Sequence, residues 1–395
     1  MSKRLLIWSI AVLLIFSAWP AAVFSAPGEA NEEGDALLAD NANSAILMDA
    51  DTGTIIYEKK SHEKLPPASI TKIMTMLLTM EAIDKGTLKL TDKVTTSEYA
   101  ASMGGSQIFL EPGEQMTVDE LLKGIAMASG NDASVAIAEK IAGSEKAFVK
   151  LMNQRAAELG MKDTLFKNCN GLPVENHYSS AHDIAIMSRE LLKYPEVTEY
   201  TGAYQDYLRQ NTQKPFWLVN TNKLVRFYNG ADGLKTGYTS EAKFCLAATA
   251  QRDGLRLIAV VLGEPNTKIR NSEVSAMFDY GFSQYALLPI YKAGEVIGKV
   301  KIQKGQSPLL ELSAARQLNV LVNKGATPGS ITHKLEVPEK LAAPIKKGQS
   351  IGKLIVYQEG KAITEFELKS PTDIDKAGWW TMFKRTASHL FFVDS

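Results

Sequence analysis

The sequence predicts an α+β fold, and three observations carry that expectation. Apolar stretches of helical length, such as ITKIMTMLLTMEAIDKG and MTVDELLKGIAMASG, fill the first half of the chain. Farther on, two apolar strand-like runs bracket Arg252-Asp253-Gly254, a hairpin turn. Past about Leu288 the helical periodicity fades into alternating apolar and polar residues with Gly-bearing turns. Strands on either side of the helices, joined by hairpins, imply a mostly antiparallel sheet covered by helices. A small all-β domain follows it.

The 395 residues suffice for two or three domains, and 45% hydrophobic with 22% charged residues is ordinary globular composition. Lys and Arg (44) balance Asp and Glu (44), so no basic field points to nucleic acid. The first residues have the order of a signal peptide over 1–26: Lys3 and Arg4, an apolar run from Leu5 to Ala18, then Pro20 and small residues. That run is short for a membrane span, although an uncleaved anchor stays open. Export makes Cys169 and Cys245 candidates for a disulfide; a pair of buried free thiols fits their apolar neighbours as well. A polar stretch covers 27–40, a catalytic domain is expected over 41–287, a β-rich domain over 288–375 and a terminal helix over 376–395.

Element by element, SAILMDADTGTIIYEKK reads as a hairpin turning at Asp49–Gly53. Pro66 and Pro67 then disfavour helix before them, and the long apolar helix starts near Ser69 and stops at Lys85-Gly86. A helix that is apolar on nearly every face is buried. Thr117 and Glu120 make a capping box for a helix ending at Gly130, and NDASVAIAEKIAG gives the next, ending at Gly143. In HYSSAHDIAIMSRELLKY, Ser180 caps a helix with Asp183 at its third position. His177, His182 and Asp183 fit no zinc spacing, and capping accounts for Asp183, so no metal is expected.

Ser69 and Lys72 stand three residues apart, on one helical face, so the hydroxyl and the amine can meet. The pattern recurs at Ser61/Lys64 and Ser350/Lys353, which lack a buried helix behind them. Two further motifs join the Ser69 copy. Ser129-Gly130-Asn131 lies in the tight joint between two helices, and Lys235-Thr236-Gly237 lies at the start of a strand-like run. In this order, at these places, the three form a known signature of penicillin-recognising serine enzymes.

The chain resembles the serine D-alanyl-D-alanine carboxypeptidases, the low-molecular-mass penicillin-binding proteins. GGSQIFLEPGE, MASGNDASVAIAE, NCNGL, HYSSAHD and DGLKTGYT resemble their sporulation-associated branch in Gram-positive spore formers. Gly130 departs from relatives that often carry Asp there. The resemblance implies a β-lactamase/transpeptidase-like catalytic domain and a peptidoglycan stem peptide as substrate. It implies β-lactams as covalent inhibitors and no cofactor. Ser69 would be the nucleophile and Lys72 its proton acceptor. Ser129 would relay a proton to the leaving amine, and Asn131 would hold the substrate amide. The N–H groups of Ser69 and Tyr238 would form the oxyanion hole, while Lys235, Thr236, Gly237 and Thr239 bind the carboxylate end. Arg270 falls where the family keeps a carboxylate-recognising arginine; a solvated surface charge is the other reading.

No histidine occupies a motif position, which argues against a Ser-His-Asp relay and makes Lys72 the candidate base. An ordinary lysine is almost fully charged at neutral pH. Burial and repulsion from a second cation, Lys235, are both expected to depress it. A β-lactamase would add a Glu-x-x-Leu-Asn loop between Asn131 and Lys235, and none is present. A penicillin-binding sensor without turnover is the non-enzyme alternative. Finally, KAGWWTMFKRTASHLFF places Trp380, Phe383, Ala387, Leu390 and Phe391 on one helical side and Thr381, Lys384, Arg385 and Ser388 on the other. This is the pattern of a helix on a membrane surface.

Overall fold

The structure, a computed structural model, describes residues 38–210, 212–325 and 331–391, with side-chain surroundings as far as 386. The leader expected over 1–26 lies outside the described residues, as does most of the stretch 27–40.

A five-stranded antiparallel sheet forms the centre. Its order is Ile55–Lys59, Ser44–Asp49, Leu255–Glu264, Lys243–Arg252 and Ala231–Thr239. Of the three inner strands, Leu255–Glu264 and Lys243–Arg252 carry long apolar runs because both faces are covered. Ile46, Ala247, Ile258 and Val260 face the larger core, with the helices Lys72–Asp84, Asn131–Ala142 and Ala181–Leu191. Their neighbours Leu47, Leu246, Ala248 and Ala259 face the other side, against Val274, Met277 and Phe278 of the helix Thr267–Gln284. Alternate residues thus feed two cores, as the period of a strand requires.

The sequence reading finds the helices at 72–84, 118–127, 131–142 and 181–191, with the expected caps. Thr117 and Glu120 form the reciprocal capping box, Ser180 accepts from the Asp183 N–H, and Gly143 ends its helix in the left-handed region. The helices Glu145–Glu158 and Thr267–Gln284 carry no element in that reading. Lys235-Thr236-Gly237 also sits differently. It lies inside its own edge strand, Ala231–Thr239, which turns through 240–242 into Lys243–Arg252. Thr239 closes that turn by accepting from the Ala242 N–H at 2.9 Å.

From Tyr285 to Lys369 every regular element described is a strand, around a third core that includes Val300, Leu312, Ile351, Leu354 and Leu368. This all-β domain contacts the hairpin turn of the first domain, where Asp51 pairs with Arg316 and accepts from Asn319 Nδ2 at 2.8 Å. The helix Trp379–Phe391 ends the described chain.

Candidate active site

Ser69 does not begin the α-helix but lies in a 3-10 turn, Ala68–Thr71, immediately before it. That turn is held by unusual backbone. Ala68 takes a φ of 47°, in the left-handed region that a Cβ makes costly. Gly171, at φ 86°, passes so close that a Cβ there would stand 1.9 Å from the Ala68 carbonyl oxygen. On the other side Gly237 lets the edge strand approach, since its Cβ would meet the Pro67 carbonyl oxygen at 2.9 Å. Thr71 donates to the Ala68 carbonyl at 2.8 Å, and His177 Nε2 lies 2.8 Å from the same hydroxyl. His177 Nδ1 accepts from the Lys167 N–H at 3.2 Å, so the ring is neutral with its proton on Nε2. Burial pushes its pKa down to about 4. His177 thus braces the turn that carries Ser69, while Asp183 accepts from the Asp163 N–H and Thr164 Oγ1.

Lys72 opens the helix with no exposed surface. Its Nζ lies 3.0 Å from Ser69 Oγ, 2.7 Å from Asn131 Oδ1 and 2.6 Å from the Asn170 carbonyl oxygen. Burial lowers its pKa from 10.5 to about 7, against smaller opposing effects of Cys169 and Asp132. Asn131 completes its own contacts by donating to the Gly104 carbonyl at 2.7 Å, so its side chain serves Lys72 as well as any substrate. Ser129 occupies the joint between helices at φ 62°, and its buried hydroxyl has no hydrogen-bond partner. A buried hydroxyl without a partner is costly, which suits a group awaiting a ligand.

Lys235 is almost wholly buried and donates to the Thr236 carbonyl at 3.0 Å. Burial, then the charges of Lys72 and Arg270, hold it well below the ordinary lysine value. The sequence reading assigns the depression of Lys72 partly to Lys235. In the structure burial is the leading cause of the Lys72 shift, and the repulsion between the two amines, felt by both, adds to the lowering of Lys235. Arg270 is 4% exposed, which overturns the surface-charge reading, and burial lowers it to about 10. Its guanidinium donates to Asn271 Oδ1 at 3.1 and 2.9 Å. Thr236 Oγ1 bonds Thr221 Oγ1 at 2.7 Å, and the exposed Tyr238 ring packs on Phe244. Sequence reasoning gives no role to Asn170, Gly171, Thr221 or the His177–Thr71 pair. The NCNGL stretch holds the first two, but a backbone carbonyl leaves no mark in residue type. Cys169 and Cys245 are both buried and unbonded to each other.

The family model for D-alanyl-D-alanine carboxypeptidases matches residues 31–266, and that for the C-terminal domain of penicillin-binding protein 5 matches 285–376. The chain belongs to the D-alanyl-D-alanine carboxypeptidase family. It is 52% identical over 384 residues, 97% of this chain and 98% of the relative, to D-alanyl-D-alanine carboxypeptidase DacF of Bacillus subtilis (strain 168). Among solved structures, penicillin-binding protein 5 of Haemophilus influenzae is 31% identical at a TM-score of 0.73, covering 85% of this chain and 98% of that one. Penicillin-binding protein D2 of Listeria monocytogenes, in its ampicillin-bound form, is 31% identical at a TM-score of 0.53, covering 61% of this chain and 98% of its own.

Gly171 supplies a test of the backbone geometry. Gly171→Ala is expected to displace Ala68 and to slow acylation by penicillin at least about a hundredfold, with loss of thermal stability. Stopped-flow acylation rates beside a melting curve measure both; a wild-type acylation rate in the variant would refute the close-approach argument.

Proposed function

We propose that Ser69 attacks the penultimate D-alanine carbonyl of a peptidoglycan stem peptide, with Lys72 as its base. The observation that carries this reading is the set of three contacts around Lys72 Nζ. A neutral amine has two N–H bonds and one lone pair. The two carbonyl oxygens, of Asn131 and Asn170, accept the two N–H bonds, which leaves the lone pair for the Ser69 hydroxyl at 3.0 Å. Proton transfer to Lys72 accompanies formation of the tetrahedral intermediate, whose oxyanion the N–H groups of Ser69 and Tyr238 would receive. Ser129, with an unused hydroxyl, passes the proton to the departing D-alanine amine. Water then attacks the acyl-enzyme, and the shortened peptide leaves.

The terminal carboxylate of the substrate meets Lys235, Thr236, Thr239 and Arg270. Lys235 and Arg270 supply the positive charge there, and the arriving carboxylate would return Lys235 to its charged form. Gly237 is needed for the approach of the strand. β-Lactams acylate the same serine. No cofactor or metal takes part in this scheme. A β-lactamase reading is disfavoured by the absence of Glu-x-x-Leu-Asn, and a non-hydrolysing sensor by the complete set of motif residues. We assign the catalytic domain to 41–287 and the β domain to 288–375, and infer a role in cell-wall or spore-cortex synthesis from the similarity to DacF.

We also infer export and peripheral attachment to the outer face of the cytoplasmic membrane. Trp379, Trp380 and Phe383 are 75%, 57% and 51% exposed and stack on one another, an expensive surface to leave in water. Lys384 lies over the Trp380 ring, while Arg385 ties the helix to the domain by donating to the Gly305 carbonyl at 2.7 Å. Ala387, Leu390 and Phe391, which complete the apolar side in the sequence, have side chains outside the described residues. No helix among the described residues is long and apolar enough to cross a membrane.

Release of D-alanine from a pentapeptide is expected to fall at least about ten-thousandfold in Ser69→Ala; equal activity would end the assignment. Acylation by penicillin should rise roughly tenfold per pH unit below about 7 and level above it, because Lys72 is neutral only above its lowered pKa. A rate independent of pH from 5 to 8 would exclude Lys72 as the base. Sedimentation with phosphatidylglycerol vesicles should weaken more than about a hundredfold when Trp379, Trp380 and Phe383 are all replaced by serine. Unchanged sedimentation would place the attachment elsewhere.

A further inference from the structure

We propose that Glu264 and Glu273 form a buried acid pair sharing one proton, and that Glu264, through that proton, positions Arg270 for the substrate carboxylate. The proposal rests on the reading that Arg270 meets that carboxylate. Glu264 is the last residue of the strand Leu255–Glu264 and has no exposed surface. Neither of its carboxyl oxygens has a hydrogen-bond donor. Glu273, on the helix Thr267–Gln284, is 9% exposed and accepts at Oε1 from Asn41 N at 2.9 Å and Asn41 Nδ2 at 2.6 Å. Its Oε2 has no donor. The two side chains lie within hydrogen-bonding reach of each other. Two such carboxyls in a dry site cannot both be ionised without great cost. A single proton between them satisfies two of the three orphan oxygens, one on each residue.

The charged and titratable surroundings agree with this. Burial first, then Glu273, raises the pKa of Glu264 to about 8. Burial works upward on Glu273 too, but the bonds from Glu264 and Asn41 bring it below the ordinary range. Facing the pair are Arg270 from the same helix as Glu273, Lys59 from the strand Ile55–Lys59, and Cys245 from the strand Lys243–Arg252. Lys59 is already engaged by the carbonyls of Ala39 and Asp40, at 2.9 and 2.8 Å. Arg270 stands one turn before Glu273, and its guanidinium donates to Asn271 Oδ1. With the proton in place the pair carries one negative charge, part of it held by Asn41, and the guanidinium stays available at the site. Loss of the proton to solvent adds a second buried charge beside Arg270, which then competes with the substrate carboxylate.

The test measures KM of the full chain for a D-alanyl-D-alanine peptide between about pH 7 and 9. Wild-type KM should rise roughly three- to tenfold, whereas Glu264→Gln, with a permanent uncharged donor toward Glu273, should hold KM within about twofold. Any basic limb due to Lys235 is common to both proteins and cancels in the comparison. Identical profiles overturn the proposal. Arg270→Gln should raise KM already at pH 7. If it does not, the carboxylate role of Arg270 fails, and with it the positioning role of Glu264. If it does while Glu264→Gln follows the wild type, the acid pair alone fails. Should Glu264→Gln not fold, infrared difference spectra of the wild type decide: a protonated-carboxyl band lost between pH 7 and 9 supports the pair, and its absence overturns it.

Discussion

One amine, held dry with two fixed acceptors and one open direction, governs the active site. The shift of Lys72 from 10.5 to about 7 corresponds to about 5 kcal/mol between its charged and neutral forms. The sign matters for folding. Between about pH 7 and 10.5 the unfolded chain holds a proton that the folded chain has released, so this residue lowers stability most at and below neutrality and least at high pH. The helix that carries it must therefore be anchored by other means. Ile73, Met74, Met76 and Leu77 behind Lys72 are wholly buried, and they do that anchoring.

Close backbone approach does the rest. Gly171 and Gly237 press on the nucleophile turn from opposite sides, at distances that exclude any side chain. Ala68 and Ser129 stand in the left-handed region without being glycine. Such conformations cost of order 1–3 kcal/mol each and persist where surrounding contacts overdetermine them. The chain from Lys167 through His177 and Thr71 to Ala68 is one such contact set. Neutral His177 can play this part because it is buried. Charged, it would lose the acceptor that Lys167 needs.

This division explains what the sequence made legible. Helix periods, caps and the hairpin at Arg252-Asp253-Gly254 are local, and the structure keeps the Thr117 and Ser180 caps, the Gly143 stop and the hairpin. The helix expected from Ser69 begins at Lys72, and the one expected to end at Gly130 ends at Met127. The three motifs are local as well, and Ser69, Lys72 and Asn131 converge within hydrogen-bonding distance. Asn170 contributes a main-chain carbonyl, and Gly171 contributes the absence of a Cβ; neither role is written in side-chain chemistry. Thr221 and His177 act through hydroxyl and ring contacts across 15 and 106 residues of sequence separation, which no local pattern encodes. Arg270 is a middle case. Its residue type fits both a solvated face and a recognition site, and its burial removes the first of these.

Burial of Lys235 and Arg270 has a further consequence for the proposed selectivity. Each is pushed toward its neutral form by desolvation. A ligand ending in a carboxylate relieves that penalty, whereas an amide or an internal peptide bond leaves it in place. Discrimination built this way is large, because a wrong substrate leaves buried polar groups unpaired. The same arrival couples recognition to chemistry. Once Lys235 regains its charge beside the carboxylate, repulsion from it disfavours a second ammonium at Lys72. On the proposed reading a terminal carboxylate would thus favour the lone pair that faces Ser69, and cleavage would be best prepared when the end of a chain is bound.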